Sequence, residues 1–103
     1  MTTDATSPSI ANPRCLIVTG ASSGIGHALA LRAAADGFAV LAVARREDRL
    51  ADLAKTIRAR NGRCEVLALD VRDPNAAKTI VARALAAFGR IDVLVNNAGM
   101  GAI

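Results

Sequence analysis

Three glycines crowd the segment Thr19-Gly20-Ala21-Ser22-Ser23-Gly24-Ile25-Gly26, directly behind the apolar run Cys15-Leu16-Ile17-Val18. Glycine gives up more backbone freedom on folding than any other residue, so this density needs a reason. The chemistry on offer is anion binding. A bare turn between a strand and a helix lets backbone N–H groups close on a phosphate, and the helix N-terminus adds positive potential. Gly20 suits the sharp turn, Gly24 the close approach of N–H groups to a pyrophosphate, and Gly26 the tight packing of helix on strand. Arg45-Arg46, directly after Ala44, which lies 18 residues beyond Gly26, add two guanidinium groups. Other candidate chemistry is thin. His27, the single histidine, reads as a surface or phosphate-proximal residue. Cys15 and Cys64 lack metal-ligand spacing and read as small buried hydrophobes. The pattern offers no metal site and no catalytic residue.

The elements that must position these residues follow from periodicity. Cys15–Val18 reads as a short buried strand, and the glycine segment opens a helix from about Gly24 to Asp36 that Gly37 ends. Phe38–Ala44 is a second strand, apolar on both faces as a covered parallel strand should be. Leu50, Leu53, Ala54 and Ile57 fall on one helical stripe between Glu47 and Arg60. Acidic residues occupy its first turn, and Asn61-Gly62 stops it. Val66–Leu69 is a third strand. Asp73 is expected to cap a helix with Pro74 at its first position. Ala77, Ile80, Val81, Ala84, Leu85 and Phe88 are expected to form its buried face, and Ile91–Val95 a fourth strand. The fold class is α/β: a partial Rossmann-type doubly wound parallel sheet, βαβαβαβ, with strand order 3-2-1-4 and right-handed crossovers. That order separates strands 1 and 3, so Cys15 and Cys64 are expected to stay reduced.

The glycine spacing is G-x-x-x-G-x-G, and the fourth strand runs into Asn96-Asn97-Ala98-Gly99. Together with Asp70-Val71 after the third strand, these motifs closely resemble the short-chain dehydrogenase/reductase family, from about Arg14 to Gly99. They match less than the first half of a typical family member. The resemblance implies that Thr19, Gly20, Ser22, Ser23, Gly24, Ile25 and Gly26 line the pyrophosphate and adenosine ribose of a dinucleotide. It implies that Asp70 and Val71 hold the adenine, and that Asn96, Ala98 and Gly99 lie along the adenine-side ribose. Asn97 would tie neighbouring strands together. Family chemistry is hydride transfer between a nicotinamide and a carbonyl or alcohol carbon, using Tyr, Lys, Ser and usually Asn downstream of this motif. The chain contains no tyrosine, so by itself it is expected to be inactive.

The dinucleotide is legible at the second strand. An acidic residue at its end would bond the ribose 2′-hydroxyl of NAD and repel a 2′-phosphate. That position is Ala44, followed at once by Arg45 and Arg46. The expected cofactor is therefore NADP rather than NAD, with Arg45 the main clamp and Arg46 its neighbour.

Composition bounds the rest. At 103 residues the chain is one small domain, read as a flexible arm over residues 1–13 and a dinucleotide-binding part over residues 14–103. The net charge of +4 is scattered over helical faces without aromatics to stack on bases, so nucleic acid is not expected. The longest apolar run, Phe38–Ala44, is far short of the roughly 20 residues a membrane helix needs. With no secretory leader pattern, the expected location is the cytoplasm. The leading reading is the NADP-binding N-terminal fragment of a reductase whose full-length form is a homo-oligomer acting on a small carbonyl or alcohol. Alternatives are a free-standing NADP-binding or regulatory module, and a decayed, non-functional product.

Overall fold

The computed structural model describes residues 12–97. Its elements run β1 (Cys15–Thr19), α1 (Gly24–Ala35), β2 (Ala39–Ala44), α2 (Glu47–Ala59), β3 (Arg63–Ala68), α3 (Ala76–Phe88) and β4 (Val93–Val95). All four strands are parallel, in the order β3-β2-β1-β4 expected from the sequence.

Strand alternation sends even and odd residues to opposite faces. On one face Leu16, Val18, Val40 and Ala42 pack with Ala30 and Ala33 of α1 and with Leu50, Leu53, Ala54 and Ile57 of α2. On the other, Cys15, Ile17, Leu41 and Val43 pack against Ile80 and Ala84 of α3. Every residue of β1 and β2 is buried, which accounts for their apolar sequence, broken only by Thr19 at the end of β1. Each large aliphatic side chain taken fully out of water contributes roughly 1.5–3 kcal/mol. The stripe of α2 therefore decides which face of that helix lies on the sheet.

Helix ends obey local chemistry. Gly37, at φ +97°, closes α1 in a Schellman arrangement: Phe38 N donates to Ala33 O at 3.0 Å and Gly37 N to Ala34 O at 3.1 Å. Asn61 takes the same left-handed position after α2, at φ +64°. Cys15 and Cys64 are both free and lie on opposite faces of the sheet, with β2 between their strands.

Four element starts differ from the sequence reading, and β1 and β3 end one residue away from it, at Thr19 and Ala68. Strand β2 starts at Ala39, because Phe38 closes α1. Strand β3 starts three residues early, at Arg63, because its backbone pairs with Ala39 of β2 whatever the polarity of its side chains. Strand β4 is only Val93–Val95. Asp92 instead joins β1 by its side chain: Cys15 N donates to Asp92 Oδ2 at 2.8 Å, and Asp92 N donates to Cys15 O at 3.0 Å. Asp73 does not cap α3. Its Oδ1 accepts from Asn75 N at 2.8 Å in a local turn, and the helix begins at Ala76. The buried face of α3 is correspondingly Ala76, Ile80 and Ala84 with Phe88 half-buried, whereas Ala77, Val81 and Leu85 are exposed. Those three occupy a stripe rotated away from the sheet, and no described element packs over it. The expected arm over residues 1–13 lies outside the described residues except for Asn12 and Pro13.

Candidate functional site

The turn after β1 has the backbone its glycines permit. Gly20 and Gly24 both adopt left-handed conformations, at φ +67° and +61°, where a side chain would be strained. Gly26 has ordinary helical geometry but no room. A Cβ there would collide with the Gly20 carbonyl oxygen and lie 2.6 Å from Asn97 Nδ2. Its absence is what lets α1 start flush against β1. Between these glycines, Ala21 is buried and its N–H donates to Val43 O at 3.1 Å, fixing the turn to β2. The N-cap of α1 is Ser23, whose hydroxyl makes no capping bond. The first-turn N–H groups thus keep their capacity for an outside acceptor.

The end of β4 locks this turn from the other side. Thr19, buried at the end of β1, donates its hydroxyl hydrogen to Asn96 Oδ1 at 3.2 Å and accepts from Asn97 N at 3.0 Å. Asn97 Nδ2 donates to Gly20 O at 3.3 Å. Asn97 therefore ties β4 to the glycine turn, as anticipated, and Asn96 fixes Thr19. Ala98 and Gly99 lie outside the described residues.

A cavity of about 490 Å³ opens at the carboxyl ends of β1, β2 and β3. Parallel α/β sheets bind their ligands at this edge. Gly20, Ser22, Ser23, Arg45, Arg46, Asp70 and Val71 line it together with Ala44, Leu69 and Arg72. Thr19, Gly24, Ile25, Gly26 and Asn96 do not; they build or border the turn. Ile25 is 72% exposed in the first turn of α1. Ala44 is buried at the end of β2 and supplies no carboxylate of its own; the nearest acidic groups are Asp70, whose Oδ2 lies 4.0 Å from Arg45 Nη1, and Asp48, whose Oδ1 lies 3.9 Å from Arg46 Nε.

Sequence reasoning missed Arg72. Its backbone N donates to Asp70 Oδ1 at 2.9 Å, and its guanidinium grips the same carboxylate in a fork. These bonds hold the Asp70 carboxyl down at about 2. The signal was an Asp and an Arg two residues apart in a turn, which carries no periodicity. A second, shallower depression alongside is lined by Ser22, His27, Arg46, Asp48, Arg49 and Asp52. Among the described residues no helix is long and apolar enough to cross a membrane.

Comparison with known proteins agrees with this geometry. The sequence profile described as short chain dehydrogenase matches residues 14–103. A 3beta-hydroxysteroid dehydrogenase of Mediterraneibacter gnavus is 41% identical over 87 residues, covering 84% of this chain and 32% of that protein. Among solved structures, an actinorhodin polyketide ketoreductase with NADPH superposes with a TM-score of 0.77 at 36% identity, over 82% of this chain and 32% of the other. The L-sorbose reductase of Gluconobacter frateurii, complexed with NADPH and L-sorbose, gives a TM-score of 0.79 at 38% identity, over 84% of this chain and 33% of the other. The chain spans about a third of the length of these relatives. Glycine turn, Asn96-Asn97 lock, strand order and matched profile together make this chain a member of the short-chain dehydrogenase family of oxidoreductases.

Proposed function

We propose that this chain binds NADP(H), as the N-terminal cofactor-holding part of a cytoplasmic reductase of small carbonyl or alcohol compounds. The observation that carries the reading is the cavity lining: Arg45 and Arg46 stand at the end of β2, where Ala44 supplies no carboxylate. The left-handed glycines and the uncapped start of α1 fit a pyrophosphate, because both leave N–H donors open to an anion. In this reading Thr19, Ser22, Ser23 and Ile25 border the phosphates and ribose, and Asp70 and Val71 hold the adenine. Asn96, with Ala98 and Gly99, lies along the adenine-side ribose. When bound, NADPH supplies a hydride to a carbonyl carbon, or NADP accepts one from an alcohol carbon. The chain has no tyrosine to move the accompanying proton, so we assign residues 14–103 binding alone. Proton transfer, substrate contacts and homo-oligomer formation belong to further residues of a full-length form.

Isothermal titration with NADP and NAD tests this. The chain should bind NADP more tightly. Arg45 is largely exposed, so its charge-assisted bond should contribute about 1 kcal/mol, and Arg45→Ala should narrow the preference about fivefold. Ala44→Asp should narrow it further by placing a like charge beside the 2′-phosphate. Preference unchanged in both variants would overturn the reading.

A further inference from the structure

An anion site with a carboxylate in its wall raises a difficulty that the structure answers. The charged side chains lining the cavity are those of Arg45, Arg46, Arg72 and Asp70, three guanidinium groups against one carboxylate. Asp70 Oδ2 is contested. Arg45 Nη1 lies 4.0 Å from it, at the outer limit of an ion pair. Arg72 Nη2 lies 2.8 Å from the same atom, with Arg72 Nε at 3.1 Å from Oδ1 and 3.2 Å from Oδ2. The backbone N–H of Arg72 adds a fourth bond to Oδ1. Forked guanidinium–carboxylate pairs are the directional, stronger class of charged hydrogen bond. Asp70 is thus bound to Arg72, and Arg45 keeps its guanidinium free of a close carboxylate contact.

We propose that Arg72 is a specificity-determining positioning residue, which occupies Asp70 so that Arg45 remains available to a 2′-phosphate. The inference rests on the NADP reading above and adds a residue that touches neither phosphate nor nicotinamide. Without Arg72, the Asp70 carboxylate has one guanidinium neighbour left, Arg45. It would either draw Arg45 inward, away from a 2′-phosphate, or, left unpaired, stand beside that phosphate as a like charge. Both effects weaken binding of a 2′-phosphorylated nucleotide, and neither acts on its unphosphorylated counterpart.

Adenosine 2′,5′-bisphosphate and adenosine 5′-monophosphate differ only in that phosphate and serve as probes. Their dissociation constants would be measured by calorimetry on the full chain, on Arg72→Gln, and on Arg72→Gln combined with Asp70→Asn. Arg72→Gln should narrow the preference for the bisphosphate about three- to tenfold. The double variant should return it to within about twofold of the parent, because the competing carboxylate is gone; any loss of adenine binding affects both probes alike. Circular dichroism checks that both variants stay folded, which the exposed position of the 70–72 turn favours. A parent that discriminates while Arg72→Gln leaves the preference unchanged would overturn the inference alone. Failure of Asp70→Asn to restore the preference would also overturn it, since Arg72 would then contact the phosphate itself. Equal binding of both probes by the parent would overturn the NADP reading, and this inference with it.

Discussion

Gly26→Ala should destabilise the chain, against the ordinary rule for helices. At a typical helix position, alanine in place of glycine gains about 0.8–1 kcal/mol. Here the added methyl meets the Gly20 carbonyl and, at 2.6 Å, Asn97 Nδ2. Backbone cannot rotate out of the way, so α1 must lift from β1; forced overpacking of this kind costs about 1–3 kcal/mol. The Asn97 Nδ2 to Gly20 O bond, 3.3 Å in the structure, is lost or lengthened, for about 1 kcal/mol more. The net expectation is a loss of about 1–3 kcal/mol, or roughly 5–20 °C in melting temperature for a domain of this size. Thermal unfolding followed at 222 nm measures it. Gly24 supplies the contrast: no atom lies within 4 Å of a Cβ there, and only its φ of +61° opposes a side chain. Asparagine tolerates that conformation better than alanine. Gly24→Asn should therefore be milder than Gly24→Ala, whereas Gly26→Asn should be worse than Gly26→Ala. A Gly26→Ala chain as stable as the parent would refute the close-packing argument.

Burial pushes the Cys64 thiol up to about 11 from an ordinary 9.0. Because folding disfavours the thiolate, this contribution to stability, on the order of 2 kcal/mol, is whole below pH 9.0 and is lost as pH rises through about 11. Denaturant midpoints across that range measure it, and a thiol reagent at pH 8 should modify Cys15 and Cys64 only on unfolding. The Asp70 carboxyl, held down by Arg72, should titrate by carbon NMR near 2 and move toward 3.8 in Arg72→Gln. Its stabilising effect is present above 3.8 and lost as pH falls through about 2. Asp92→Ala should speed amide exchange at Cys15 and along β4, since it removes the carboxylate that accepts from Cys15 N. Val81→Lys and Leu85→Lys should each change stability by no more than about 0.5 kcal/mol, because both side chains are exposed.

The sheet was legible because its signals are local. Buried strands β1 and β2 write their burial as apolar runs, and Gly37 and Asn61 mark helix ends by needing left-handed backbone. Helix α3 was harder. Asp73-Pro74 fits a cap followed by a first helical residue, but the Asp73 side chain bonds Asn75 N in a competing turn and delays the helix to Ala76. Val81 and Leu85 are apolar without being buried, and periodicity cannot separate a stripe that packs from one that does not. In the site, Gly20, Gly24 and Gly26 declared themselves by density. Arg72 did not, because its role depends on a turn that folds it back onto Asp70, and that geometry has no counterpart in spacing.

The central claim, that a dinucleotide lies across the carboxyl edge of β1 to β3, is tested most directly by titrating NADP into labelled chain and following amide shifts. The expected result is saturable change confined to Thr19–Gly26, Ala44–Arg46 and Asp70–Arg72, with smaller change for NAD at Arg45 and Arg46. Saturable shifts centred instead on the depression beside His27 and Asp52, or no saturable shifts at all, would contradict it.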